Sequence, residues 1–193
     1  MTMLLFGMML FIGVHSVRIV ADGWRTRTIE RVGEQRYKGL FSLASAVGLG
    51  LIVWGFAQAR SAPVPLWPRP VWGPHAGATL MLPAFVLIVG PYIGRSHINA
   101  ALRHPMLCGT VVFGVAHLLA NNLLADVVLF GGFAAWAAVA LLSAIARDRR
   151  EGRVMPAPVA SHTVRQVAVG TALWGAFGVY LHRALFGVAP FGF

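Results

Sequence analysis

Acidic side chains are scarce in this sequence: six Asp and Glu stand among 193 residues, against 16 Lys and Arg. Charge of either sign is thin as well, at 11%, where soluble domains carry about 25%. A soluble chain so short of charge could not cover its surface, so water is excluded as the main solvent. Cysteine is almost missing, since Cys108 stands alone. That excludes a disulfide framework and a CxxC metal clip, and with no C-x-x-C-H there is no covalently attached c-type haem. No Glu lies in a long apolar run, which argues against a di-iron carboxylate centre. Internal repeats, low-complexity tracts and a soluble domain are also missing. The N-terminus has no Lys or Arg before its apolar run and no A-x-A site near the end of it, so a retained first helix is expected rather than a cleaved signal.

What is present is apolar. Hydrophobic residues make up 58% of the chain, and they gather into runs instead of following an amphipathic period. The runs cover roughly residues 3–20, 39–57, 76–93, 106–125, 127–146 and 164–186. Each approaches the ~20 residues needed to cross ~30 Å of hydrocarbon as a helix. The expected fold class is therefore all-α, a polytopic transmembrane helical bundle with about six spans, forming a single domain over residues 1–193. Asn121, Asn122 and Asp126 alone separate the fourth and fifth runs, which predicts a tight helical hairpin.

The net charge of +10 raises nucleic acid as a partner. The basic residues, however, form no aromatic-interleaved patch on one accessible face, so no nucleic acid is expected. They sort by loop instead. Arg25, Arg27, Arg31, Arg36 and Lys38 occupy the first loop, Arg147, Arg149, Arg150, Arg153 and Arg165 the fifth, and Arg95 and Arg103 the third. The opposite side offers Arg60 and Arg69. The positive-inside rule then places the arginine-rich loops in the cytoplasm and the N-terminus outside, as in a bacterial inner membrane. The second loop, with Pro63, Pro65, Pro68, Pro70 and Pro74, is too rich in proline to be helical, and Trp54, Trp67 and Trp72 flank it at the outer interface. Small residues spaced by four (Ser42, Ala46 and Gly50; Gly131 and Ala135) predict close helix contacts.

Ionisable residues at membrane depth carry the chemical information, since each costs several kcal/mol unless partnered. His15, Arg18 and Asp22 fall on one face of the first helix, and Arg18 and Asp22 are placed to snorkel or to pair. His117 lies near the middle of the fourth run, with Asn121 one turn later on its face. Gly114, three residues before it, leaves room for a flat group. Two neutral imidazoles on opposing helices can ligate a metal or a haem iron. Haem suits a greasy cleft better than zinc does, and its propionates would meet the cytoplasmic arginines. The plainer reading is that both histidines hydrogen-bond to Asn, Ser or backbone. His75 and His182, near the outer end, are a rival ligand pair or an interfacial pair. His97 and His162 are expected to be solvated in cytoplasmic loops. His104 precedes the fourth helix, with Pro105 suited to its first turn. There it could anchor at the interface, meet a cofactor's acidic groups or end a loop. Cys108 reads as a small buried residue.

Arg103-His104-Pro105-Met106-Leu107 followed by Ala116-His117-Leu118-Leu119-Ala120-Asn121 resembles the signature of the NnrU family. Phe11 to His15 with Arg18 is similar to that family's opening FxxxHxxR pattern, and Leu181-His182 with Gly187-Val188-Ala189-Pro190 to its closing motif. The resemblance spans nearly the whole chain. The family includes bacterial proteins associated with nitrite and nitric-oxide metabolism and the plant 15-cis-zeta-carotene isomerase, a membrane enzyme with haem b. It implies haem b iron ligated by His15 and His117, with Arg18, Arg103, His104 and Asn121 around the cofactor. Arg103 through Gly109 is also similar to the RHPxxxG motif of isoprenylcysteine methyltransferases and sterol reductases. Those need a C-terminal cofactor-binding stretch with glutamates, and nothing after Val154 is acidic.

Three functions follow as expectations. The first is a haem b membrane protein acting as a redox-gated cis–trans isomerase of an apolar polyene. The second is a non-catalytic haem sensor or accessory factor for nitrite and nitric-oxide metabolism, with a gaseous ligand. The third is a transport or structural bundle. The bilayer is the expected partner in all three, and the sequence leaves the oligomeric state open.

Overall fold

The computed structural model describes residues 1–191. Within them the fold is all-α, and the one extended pairing is an isolated bridge between Pro65 and Leu123. The elements are α1 (Thr2–Val20), α2 (Asp22–Val32), α3 (Glu34–Ser61), α4 (Gly73–Ile88), α5 (Gly90–Ile93), α6 (His97–Leu102), α7 (Pro105–Ala120), α8 (Leu124–Asp126), α9 (Gly132–Arg150), α10 (Ala160–Ala176) and α11 (His182–Phe186). Wider π-helical turns at Val127–Gly131 and Phe177–Leu181 join α8 to α9 and α10 to α11.

Four helical stretches among the described residues are long and apolar enough to cross a membrane: Thr2–Val20, Glu34–Ser61, Gly73–Ile93 and Leu124–Arg150. A fifth, Pro105–Ala120, is apolar but 16 residues long, about 24 Å at 1.5 Å per residue. The stretch from Ala160 to Phe186 is helical throughout but is not among the four. Length and apolarity thus support a membrane protein, with four stretches that meet the requirement and one shorter apolar helix; they do not confirm all six expected spans.

The boundaries differ from the apolar runs for local reasons. α3 extends beyond residues 39–57 at both ends, because polar turns carrying Glu34 and Lys38 at one end and Arg60 at the other are good helix but not apolar. The first loop folds as α2, with Asp22 at its N-terminus and Arg31 in its last turn, each favourable to the helix dipole. The fourth run breaks at Asn121, which is extended at φ −129° and ψ 158°. Three residues, Asn121 to Leu123, connect α7 to α8. There Asp126 accepts a hydrogen bond from the Leu123 backbone N–H at 3.1 Å and closes the first turn of α8.

The chain divides into two compact units. The first comprises residues 1–65 and 123–132, the second residues 66–122 and 133–193.

In the first unit α1 packs along α3 through glycines. A Cβ on Gly55 would stand 2.2 Å from the backbone N of Leu4, one on Gly48 2.9 Å from that of Phe11, and one on Gly7 2.6 Å from that of Ile52. Backbones meet directly there, as small residues permit in lipid. The stripe expected from the sequence is not this seam. Ser42, Ala46 and Gly50 are all exposed, and a Cβ on Gly50 would meet nothing within 4 Å. The face that meets α1 carries Gly48, Ile52 and Gly55 instead, so both the phase and the strict spacing of four differ from the expectation. Ala135 on α9 is likewise exposed, and the buried stripe of that helix is Ala137, Ala140, Ala144 and Asp148.

In the second unit α4 lies against α7 through a similar seam. A Cβ on Gly73 would come 2.3 Å from the carbonyl oxygen of Leu119, and one on Gly77 2.7 Å from that of Ala116. α10 crosses α4 where Gly170 meets Val86, and Trp174 Nε1–H donates to the Ala78 carbonyl at 2.9 Å.

Candidate functional site

The two histidines singled out by the sequence sit in matching local structures. On α1, His15 Nδ1–H donates to the carbonyl of Phe11, one turn earlier, at 2.7 Å. The Phe11 ring stacks on the imidazole with centroids 4.2 Å apart, and Phe41 of α3 meets it edge-on at 4.9 Å. On α7, His117 Nδ1–H donates to the carbonyl of Phe113 at 2.9 Å, and the Phe113 ring lies 4.3 Å away. Each is an F-x-x-x-H turn, a repetition that sequence reading registered for the first histidine alone. A carbonyl accepts only, so Nδ1 must carry the proton, and in the neutral ring the lone pair falls on Nε2. This is how proteins fix the tautomer of a ligating histidine, and it also satisfies the plainer expectation of a backbone hydrogen bond.

The surroundings differ. His15 lines a cleft of about 320 Å3 formed by α1, α2 and α3. Val14, Val17 and Phe41 give it apolar walls, and Arg18, Arg25 and Lys38 stand in its lining with Glu34 and Tyr37. Arg18 takes the pairing option, Nε to Asp22 Oδ1 at 3.8 Å, with both side chains about half exposed. His117 sits in the last turn of α7 instead of mid-span, because the helix stops three residues later. Asn121 makes that stop. Its backbone N–H and side-chain Nδ2–H both donate to the His117 carbonyl, at 2.9 and 2.8 Å. Asn121 is thus the C-cap of the histidine's own helix.

Arg103 and His104 converge on a group the sequence reading did not single out. Asp148, at the buried end of the alanine stripe on α9, is 2% exposed. His104 Nε2 lies 3.0 Å from its Oδ2, Arg153 Nη1 3.4 Å from its Oδ1 and Arg103 Nη1 4.0 Å from Oδ2. Arg103 also donates to the Arg153 carbonyl at 3.2 Å. The backbone bends sharply to allow this. Arg103 has φ +60° and ψ −44°, and the His104 N–H reaches the Leu102 carbonyl at 2.6 Å, a strained γ-turn. Such a turn costs about 1–3 kcal/mol and persists only where its surroundings enforce it. Pro105 then opens α7 as expected.

His97 is exposed, as expected, and His162 is half-buried, and both also act as tethers in the second unit. The Thr163 hydroxyl accepts from the His97 backbone N–H at 2.9 Å and lies 2.9 Å from its Nδ1, while His162 Nδ1 accepts from Arg95 N–H at 3.1 Å. Beneath them Ser96, Asn99 and Gln166 form a buried polar knot. Ser96 hydroxyl donates to Gln166, and Asn99 Nδ2 donates to the Gly90 and Gly94 carbonyls at 2.6 and 2.5 Å. Gln166 Nε2 donates to the Val86 carbonyl at 2.9 Å. Of the rival pair, His75 is exposed on α4 and His182 gives Nδ1–H to the Val188 carbonyl at 2.8 Å. An apolar groove of about 330 Å3 along α4 and α10 holds no titratable group. No group of three or more His, Cys, Asp or Glu able to hold a metal ion occurs among the described residues.

The fold defines an all-helical membrane protein whose distinctive polar groups are histidines locked by their own helices. More narrowly, residues 3–190 match the family model described as NnrU protein, and the chain belongs to that family. Comparisons with curated proteins and with solved structures return no match.

Proposed function

We propose that this NnrU-family chain is a haem b-binding membrane protein in which His15 supplies an axial ligand. One observation carries the reading: an imidazole whose Nδ1 proton is held by Phe11 at 2.7 Å lines a cleft with apolar walls and basic residues. The residues fit the group. The tautomer puts the coordinating lone pair on Nε2, Phe41 and the valines suit an apolar macrocycle, and cations suit its carboxylates. His117 has the same tautomer, fixed by Phe113, and is prepared by its own helix for the same role. The reading keeps the arginine-rich loops in the cytoplasm and the N-terminus outside, across a bacterial inner membrane.

When bound, haem supplies iron that changes its ligand affinity with redox state. Around it the chain's residues orient and shelter. Phe11 and Phe41 hold the His15 ring in place, Asn121 ends α7 just beyond His117, and Val14, Val17 and Ile29 give the cleft its apolar side. We read the activity as redox-gated cis–trans isomerisation of an apolar polyene.

Protein purified from haem-replete cells should show a Soret band, and His15→Ala and His117→Ala should each abolish or strongly weaken it. Wild-type protein without such a band contradicts haem binding. Binding of carbon monoxide or nitric oxide with no turnover of a cis-polyene in either redox state would keep the haem and replace the isomerase by a sensor or accessory factor in nitrite and nitric-oxide metabolism.

A further inference from the structure

We propose that the mouth of the His15 cleft is a carboxylate-anchoring site in which Arg25, with Lys38 beside it, holds the propionates of the bound haem; the inference rests on the haem reading above. Three cations line the cleft, and two already have carboxylates. Arg18 faces Asp22 at 3.8 Å, and Lys38 Nζ lies 2.8 Å from Glu34 Oε1. Arg25 has no carboxylate within 4.0 Å among the described residues, and its guanidinium lies over the Tyr37 ring, 5.7 Å from the centroid. A cation–π contact at that distance holds the guanidinium near the ring without using its N–H donors. Glu34, in the same lining, is close enough to feel Arg25 but is ion-paired to Lys38, so Arg25 is the cation of the cleft with no ion pair of its own among the described residues. Lys38 gives Glu34 one of its three N–H donors and keeps others for a second carboxylate.

The backbone around α2 serves this placement. The chain leaves α1 at Ala21, with φ −144° and ψ 42°, and enters α3 through Gly33 at φ +86°, a conformation that favours glycine. Between these breaks α2 has no buried residue. Arg25 and Ile29, one turn apart, are the two side chains it contributes to the cleft. A helix with so little core of its own is held at the cleft by those contacts, and a doubly anionic amphiphile would add to them.

The test is a titration of the detergent-solubilised full chain with haem b and, in parallel, with its dimethyl ester, whose propionates carry no charge. The Soret shift reads the affinity of each. Haem should bind roughly tenfold more tightly than the ester, as expected for a charge-assisted contact. Arg25→Gln should lower haem affinity roughly tenfold and leave ester affinity unchanged, with a smaller loss for Lys38→Gln. Arg27→Gln, exposed on the same helix, should change neither. An unchanged ratio of haem to ester affinity in Arg25→Gln, or an equal loss in Arg27→Gln, overturns the anchor while the haem reading stands. No Soret shift with either porphyrin overturns both.

Discussion

The turns around His15 and His117 are nearly the same object in different settings. In both, a phenylalanine four residues earlier supplies the carbonyl that holds Nδ1 and a ring that packs on the imidazole. In both, the helix bearing the histidine is pressed on its neighbour through glycines, α1 on α3 and α7 on α4. Beyond that they part. His15 opens onto a cleft with basic residues in its lining, while His117 stands in a final turn that Asn121 terminates. The likeness teaches that tautomer control is local, written in five residues. The difference teaches that what each imidazole can meet is set by the elements around it.

The strongest way to break the comparison is to disturb the seams. Gly55→Ala places a methyl group 2.2 Å from the Leu4 backbone, and Gly73→Ala places one 2.3 Å from the Leu119 carbonyl. Neither neighbour is a flexible side chain, so each should destabilise by about 3 kcal/mol or prevent folding. Thermal unfolding in detergent reads this, with Gly50→Ala as a control within about 0.5 kcal/mol of wild type. A seam variant as stable as that control would show that the backbones are not in contact. Next in size is the cap. Asn121→Ala removes the side-chain hydrogen bond to the His117 carbonyl and should cost about 1 kcal/mol, perturbing the environment of His117 but not that of His15. Histidine NMR signals or the haem spectrum would separate the two, and an equal perturbation of both would break the distinction. Of similar size to the cap is the ring contact. Phe11→Leu and Phe113→Leu keep apolar volume and lose the aromatic pairing, worth about 0.5–1.5 kcal/mol. Matching losses would sharpen the equivalence of the turns, and a loss confined to one would end it.

Much of this organisation was legible in the sequence. The first apolar run coincides with α1 to within a residue, Pro105 opens α7, and the family signature covers the matched range. Apolar runs reveal spans because lipid demands long stretches without charge. They carry no phase, so the Ser42, Ala46 and Gly50 stripe was assigned to a contact that Gly48 and Gly55 make. They are also blind to helix that leaves the apolar region, which is why α2 and the ends of α3 read as loop. Asp148 escaped notice for another reason. It lies among Arg147, Arg149 and Arg150, where one acid looks like part of a solvated charge run, and only the fold brings Arg103, His104 and Arg153 to it. The signal available was its spacing from Ala137, Ala140 and Ala144, which continues one helical face. Its neutralisation of the Arg103-His104 corner gives that motif a structural duty in addition to any contact with a cofactor.

Whether the locked imidazoles of His15 and His117 serve as haem ligands decides the proposed function. Its most direct test is an absorption spectrum of the purified protein before and after dithionite. The account predicts a Soret band that sharpens and shifts on reduction, with the visible bands of a low-spin b-type haem if two histidines ligate. A protein from haem-replete cells that shows no Soret absorption in either state, and takes up no added haem, would contradict it.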